Sequence, residues 1–360
     1  MSLSSSVPGT EPAAGELTWP KILRPLLAGQ DLDSAHARWA MDQVMGGEAS
    51  DAQIAGFLIA LRAKGETVEE LHGLVEAMLD HSVPLTGLED SVDIVGTGGD
   101  GAKTVNISST AAMIVAAAGY RVVKHGNRAS SSASGSADVL EVLGVNLNLT
   151  AEQVGQLADL AGISFCFAQV FHPAMRFAAA ARRELGVPTA FNLLGPLTNP
   201  ARAKSSAIGV ADLRMAPLIA GVLGRAGIDA LVFRGEDGLD ELTTTAPSDV
   251  WEVRAGEVSH SHFEPLDLGI PRATVADLRG AAATFNADVT RRVLDGEASP
   301  VRDIVRLNAA AAMVAARRDD LSSPLPERLA RAYGEAGELI DSGKAARKLE
   351  ELVAKSHSFR

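Results

Sequence analysis

The sequence predicts an α/β protein: a small N-terminal all-helical domain followed by a larger α/β domain with a mostly parallel central sheet. Three observations predict it. From about Trp19 to Leu85 every periodic segment repeats its apolar residues at helical spacing. After "SVPLTG" the pattern changes to short aliphatic runs alternating with helices, the signature of parallel β-α-β units. The first of those runs, "VDIV", opens into the glycine-dense loop "GTGGDG" and then a long small-residue helix, an arrangement suited to cradling a phosphate.

Taken in order, the first residues carry neither a basic run nor an apolar stretch, so residues 1–18 are expected to form a disordered polar tail rather than a signal peptide. "SDAQIAGFLIALRAKG" starts with a capping box, Ser50 with Gln53, and stops at Gly65; "TVEELHGLVEAMLDH" repeats the device with Thr67 and Glu70. In this last helix Val68, Leu71, Val75, Met78 and Leu79 share a face, which leaves Glu69, Glu70, Glu76 and Asp80 expected mostly in solvent. These helices make a domain over residues 19–86, and residues 171–200, with their alanine-rich helix and Gly-Pro turn, are expected to pack back on it. Residues 87–170 and 201–360 form the α/β domain, with strands predicted at "VDIV", "RVVK", "ISFCFA", "SAIGV" and "ALVFR". A late helix is entered at "SPVRDIV", where Ser299 caps and Pro300 sits first.

Composition narrows the function. With 46% hydrophobic and 22% charged residues, the 360-residue chain reads as an ordinary soluble globular protein. The single cysteine, Cys166, cannot form an internal disulfide and sits in a predicted strand, which points to the cytoplasm. A net charge of −12 works against nucleic-acid binding, which needs clustered cations, and no apolar run is long enough for a membrane span. A small anionic ligand needs only a local positive site, so it stays open.

Gly96, Gly98 and Gly101 satisfy the dinucleotide fingerprint G-x-G-x-x-G. That reading also needs an acidic residue about 20 positions on, to hold a ribose. Lys124 and His125 end the next predicted strand instead, and no Gly-Lys-Ser/Thr closes the loop as a Walker motif would. What remains is a loop whose amides can approach an oxyanion, backed by a helix N-terminus where Asn106, Ser108 and Ser109 add donors, or, for the Ser108 hydroxyl, a ligand to magnesium. Asp100 beside a phosphate is repulsive unless a cation or a ribose hydroxyl stands between them. "KHGNRASSS" then sets Lys124, His125, Asn127 and Arg128 before Ser130, Ser131 and Ser132, a second anion cradle expected to face the same crevice. A ligand with phosphate at both ends fits two cradles. Past "ALVFR" come Glu236, Asp237, Asp240 and Glu241, of which Asp240 and Glu241 are reasonable magnesium holders. His172, Arg182 and Arg183 lie in the interrupting segment, where an arginine suits either a substrate carboxylate or a surface ion pair.

"DIVGTGGDG", "NISS", "KHGNRASSS", "FNLLGPLTNP" and "GLDELTTT" stand in one order and spacing, and from about Trp19 onward the chain resembles the anthranilate phosphoribosyltransferase family. The resemblance implies a helical domain joined to an α/β domain of the kind shared with pyrimidine nucleoside phosphorylases, usually as a homodimer. It implies transfer of phosphoribosyl from phosphoribosyl pyrophosphate to the amine of anthranilate, with Mg2+ and release of pyrophosphate, in tryptophan biosynthesis. By motif, the donor would be lined by Gly96, Gly99, Asp100, Thr104, Asn106, Ile107, Ser108 and Ser109. Lys124, His125, Gly126, Asn127, Arg128, Ala129, Ser130, Ser131, Ser132 and Ser136 would complete that lining. Anthranilate would meet Gly96, Asn127 and Arg182 with His125 and His172 close by, and Ser108, Asp240 and Glu241 would take the metal. The rivals are a pyrimidine nucleoside phosphorylase and a non-enzymatic nucleic-acid-binding relative.

Overall fold

A computed structural model describes residues 17–128, 134–317 and 322–359. Residues 1–16 of the expected polar tail, and Ala129, Ser130, Ser131 and Ser132, lie outside the described residues.

Four helices open the chain: α1 (Trp19–Leu27), α2 (Ser34–Met45), α3 (Asp51–Lys64) and α4 (Val68–Asp80). Both capping boxes form as the sequence predicts, each satisfying two otherwise unpaired amides at a helix start. Glu70 departs from expectation, because it is fully buried rather than solvated. Its carboxylate accepts from the amides of Leu32 and Thr67, from the Thr67 hydroxyl and from Lys64 Nζ, the last at 2.9 Å. Capping turned the side chain back over the helix start, where the α1–α2 connection covers it and Lys64 neutralises it. A polar position on a helical wheel does not reveal such a partner.

The α/β part runs β1 (Val92–Gly96), α5 (Ile107–Ala117), β2 (Val122–Gly126), α6 (Ser136–Leu143), α7 (Ala151–Ala161), β3 (Ile163–Phe167), α8 (Ala168–Phe171), α9 (Arg176–Leu185), α10 (Phe191–Leu194), β4 (Ser205–Gly209), α11 (Ala216–Arg225) and β5 (Asp229–Gly235). It continues with β6 (Ser248–Arg254), β7 (Glu257–Phe263), α12 (Ala283–Leu294), α13 (Pro300–Ala316), α14 (Leu325–Asp341) and α15 (Lys344–Ser356). Ser299 caps α13 by accepting from the Arg302 amide, with Pro300 at the first turn.

The seven strands lie in the order β3-β2-β1-β4-β5-β6-β7. Pairs from β3 through β5 are parallel, and β6 and β7 add antiparallel. The five predicted strands are β1 to β5; the β6–β7 hairpin is an addition the sequence reading did not contain. Its turn is Ala255-Gly256, both at positive φ, which matches the right-handed twist of a tight hairpin. The outer strand, rich in Ser and His, buries only Phe263, so it lacked the aliphatic signal by which the other strands were recognised.

One sheet face is covered by a core drawn from α5, α13, α14 and α15. The other carries α11, and its core continues without a break into the helical domain, joining Ile208 and Val232 to Phe57, Leu71 and Leu74. Ala178, Ala181, Phe191 and Leu194 of residues 171–200 belong to that second core. Among the described residues no helix is long and apolar enough to cross a membrane.

Candidate active site

The chain leaves β1 toward β2 and β3 on one side, then returns to β4 and β5 on the other, so a topological switch point falls between β1 and β4. Open parallel sheets bind ligands in the crevice outside the carboxyl ends of such strands. A cleft of about 330 Å³ lies there, lined by the glycine loop, the start of α5, the end of β2 with the start of α6, and Asp240 and Glu241. The glycine loop, the end of β2 and the acidic pair, distant in sequence, therefore face one space.

Gly96 and Gly209 end β1 and β4 in register with each other. Neither has a positive φ; the reason for glycine is proximity. A Cβ at Gly96 would overlap the Asp240 carboxylate, and one at Gly209 would overlap the Asp240 main-chain carbonyl. The missing side chains let the β5–β6 connection close over the switch point and set Asp240 and Glu241 into the cleft floor. Gly209 was not among the sequence-selected residues, although a glycine inside an aliphatic strand is the recognised mark of close backbone approach.

The loop between β1 and α5 turns through positive φ at Gly98, Gly99 and Gly101. The Gly98 amide is committed to Asp240 Oδ2 at 2.7 Å, so part of the cradle already serves to fix that acid. Asp100 Oδ1 accepts from the Ala102 amide, whereas its Oδ2 is buried without a hydrogen-bond partner. Asn106 begins α5 without a capping hydrogen bond, its amide group being used instead between Ser134 O and Asn286. The Ile107 amide is taken by Val105 O, and the amides of Ser108 and Ser109 that follow at the cleft wall favour an anion.

Lys124 is buried beneath this loop, its Nζ donating to Ile94 O at 2.5 Å and to Ser108 Oγ at 3.2 Å. Burial pulls its pKa down, while Asp93, Glu241 and Asp240 act to hold the charge. Burial raises both Asp240 and Glu241, and their mutual proximity with Asp100 raises them further. Three carboxylates converging on one ammonium form a site short of positive charge. Hard all-oxygen donors with a Ser108 hydroxyl beside them, and an orphaned buried Asp100 oxygen, fit a magnesium ion.

Arg128 lines the cleft, but its guanidinium pairs with Asp138 and Glu141 of α6. Ser136 donates to the Asn127 carbonyl, closing the β2–α6 loop. His125 Nδ1 donates to Gly195 O at 2.8 Å and His172 Nε2 to Thr198 O at 2.9 Å. A carbonyl can only accept, so in each neutral ring the other nitrogen carries a lone pair. Those nitrogens, His125 Nε2 and His172 Nδ1, are buried without a partner, and the rings stand edge to face at 5.2 Å. Burial is the main cause that pushes both rings down to a pKa of about 4, so both are neutral near pH 7.

His172 and Arg182 do not themselves line this cleft. His172 reaches it through His125, and Arg182 lies half-buried over the Phe191 ring at 5.0 Å, with burial lowering its pKa. Arg182 has no ion-pair partner among the described residues.

Two predictions belong to this shell. Asp93, buried in β1, accepts from the His125 amide at 3.1 Å and from Asn199 Nδ2 at 2.8 Å, beside Lys124. Asp93→Asn would turn one of those acceptors into a donor facing a donor and remove a countercharge from Lys124. Denaturant unfolding is expected to show a loss of about 3 kcal/mol, and a change below about 1 would refute the role. His172 has a folded pKa below its unfolded value, so the unfolded chain binds more protons. Its contribution to stability is complete above the ordinary imidazole value of 6.5 and is lost as pH falls toward about 4. The stability gap between wild type and His172→Gln should shrink over that window, and a constant gap would contradict a buried neutral ring.

Residues 88–346 match the α/β domain of a glycosyl transferase family, and residues 20–82 match the helical bundle domain of the same family. The anthranilate phosphoribosyltransferase of Streptomyces griseus is 59% identical, covering 95% of this chain and 96% of the relative. The Arthrobacter enzyme of that name is 60% identical over 95% of this chain and 97% of its own length. The crystal structure of the Thermus thermophilus anthranilate phosphoribosyltransferase superposes with a TM-score of 0.87 at 40% identity, covering 94% of this chain and 99% of that one. The Saccharomyces cerevisiae enzyme, in complex with phosphoribosyl pyrophosphate and magnesium, gives 0.85 at 26% identity, covering 95% and 98%.

Proposed function

The chain belongs to the anthranilate phosphoribosyltransferase family, and from that premise we infer that it transfers the 5-phosphoribosyl group of phosphoribosyl pyrophosphate to the amine of anthranilate, releasing pyrophosphate, in tryptophan biosynthesis. The observation that carries this reading is the single cleft at the β1/β4 switch point, where an amide-rich helix start and a cluster of acids face each other.

Displacement at the anomeric carbon develops positive charge on the sugar and negative charge on the leaving pyrophosphate, so the site's task is electrostatic placement and alignment. Ser108, Asp240 and Glu241 would hold Mg2+, which neutralises the departing pyrophosphate when bound. The start of α5 receives a phosphate, with Asn106 keeping its position through Ser134 and Asn286. Thr104, Ile107 and Ser109 shape the wall beside it, and Gly126, Asn127 and Ser136 shape the opposite wall. Lys124 lies too deep to grip the ligand alone; it tethers Ser108 and offsets the acids. An aromatic amine is unprotonated at neutral pH, so no base is needed to free it. His125 Nε2, a lone pair held in place by the Nδ1 bond to Gly195, would accept an amine N–H and orient it.

Arg182 is assigned to the acceptor's carboxylate, because a guanidinium fork matches it and no carboxylate among the described residues pairs with it. Arg182→Ala should raise the anthranilate KM roughly tenfold or more while leaving the donor KM nearly unchanged; a donor-only defect would contradict the assignment. We also propose a cytoplasmic homodimer joined through the helical domains, where Leu27 stands exposed. Sedimentation at a single-chain mass would exclude it.

The activity is tested by mixing the protein with phosphoribosyl pyrophosphate, Mg2+ and anthranilate and following the loss of anthranilate fluorescence. Phosphate-dependent release of free base from a pyrimidine nucleoside, without that loss, would favour the phosphorylase reading instead.

A further inference from the structure

β7 is the outermost strand of the sheet, and its residues from Glu257 to His262 are exposed. His260 and His262 are two positions apart, so both side chains project from the same face of the strand. Across the ladder His262 pairs with Asp249 and His260 with Trp251. His260 Nε2 lies 2.8 Å from Asp249 Oδ1, and His262 Nδ1 lies 3.3 Å from the same oxygen. One donor atom from each of the three comes within 4.8 Å of the others. The Trp251 ring stacks on His260 at 4.7 Å.

We propose that Asp249, His260 and His262 form a binding site for a divalent transition ion of the zinc type, separate from the catalytic cleft. Two imidazole nitrogens and a carboxylate oxygen form a known zinc donor set, whereas magnesium takes oxygens. Bonds of about 2.0 to 2.2 Å in a tetrahedron put ligand atoms roughly 3.4 Å apart, so the 2.8 and 3.3 Å spacings to Asp249 need a shift of about 0.6 Å or less, and the spacing between the two imidazole nitrogens, within 4.8 Å, one of about 1.4 Å at most. The carboxylate is rooted, its side chain 13% exposed, while the imidazoles are 44% and 68% exposed at the rim. That leaves an open side for water as the fourth ligand. The nearest cation in register, Arg234 on β5, donates to the carbonyls of Ala211 and Gly235, so its own hydrogen bonds lie elsewhere. The ion would clip the edge strand to β6 beyond what its ladder and the buried Phe263 supply.

The test uses the full chain in excess Mg2+, which occupies oxygen-rich sites, titrated with Zn2+ by calorimetry. A zinc-binding event is expected in the wild type and in Asp240→Asn/Glu241→Gln, and its loss in His260→Gln/His262→Gln with transferase activity unchanged. Cu2+ should quench the emission of Trp251 in the wild type and not in the histidine variant. Electron paramagnetic resonance of the Cu2+-loaded wild type should show coupling to imidazole nitrogen, a readout that does not depend on the variant folding. Equal zinc binding in wild type and histidine variant, no zinc binding at all, or a Cu2+ spectrum without nitrogen coupling would overturn the site and leave the transferase reading untouched.

Discussion

Asp240→Asn/Glu241→Gln is expected to lower kcat by roughly three orders of magnitude, with the residual rate no longer responding to Mg2+. The argument is one of charge. Asp240, Glu241 and Asp100 crowd into a cleft floor where the one buried cation, Lys124, is already bonded to Ile94 and Ser108. Burial and the neighbouring carboxylates both raise Asp240 and Glu241, so the folded chain carries an unfavourable cluster that a divalent ion relieves. The amides remove the repulsion while keeping the shape. In cation-free buffer the variant should therefore unfold at a higher temperature than the wild type, although it is nearly inactive. Those two shifts have opposite signs, which separates a metal-holding pair from a pair that merely stabilises the loop. A variant that melts lower and retains its Mg2+ response would remove the acids from the donor site.

Legibility of the molecule from its sequence followed the range of the interactions. Helix starts are written in four residues, so Ser50 with Gln53, Thr67 with Glu70 and Ser299 with Pro300 were readable where they stand. Aliphatic strands β1 to β5 were readable for the same reason. The outer hairpin was not, because an exposed edge strand such as "EVSHSHF" has no apolar side to announce it, and only Ala255-Gly256 marked the turn. Long-range partners were equally hidden: Glu70 looked solvated until Leu32 and Lys64 came to cover it. In the site, the glycine loop, the end of β2 and the acidic pair were each recognisable by type, and the switch-point rule anticipated that they would meet. The depth of Lys124 was not recognisable, since a lysine at a strand end can point outward or under the loop. Gly209 escaped because its need for a hydrogen in place of a side chain arises from Asp240, which is remote in sequence.

Gly209→Ala is expected to cost more than any other single methyl group in the protein, and the cost should appear in catalysis as well as in stability. The new Cβ has nowhere to go: its neighbour is the Asp240 main chain, not the yielding end of a flexible side chain. Gly209 is held between β1 and β5 by ladders on both sides, so the strand cannot retreat either. The acidic loop must shift instead, carrying Asp240 off the Gly98 amide and moving Glu241 with it. Overpacking of this kind costs about 1 to 3 kcal/mol, and a displacement near 1 Å at a charge-placing group lowers rate by roughly a hundredfold. Gly155→Ala is the matched control, since it lies inside α7 with open space around it and should gain up to about 1 kcal/mol. The Mg2+ concentration for half-maximal rate should rise in Gly209→Ala and stay fixed in Gly155→Ala. If Gly209→Ala lost stability alone, with kcat and Mg2+ response unchanged, the closeness of β4 to the acidic loop would be a packing detail and not the means by which the sheet positions its acids.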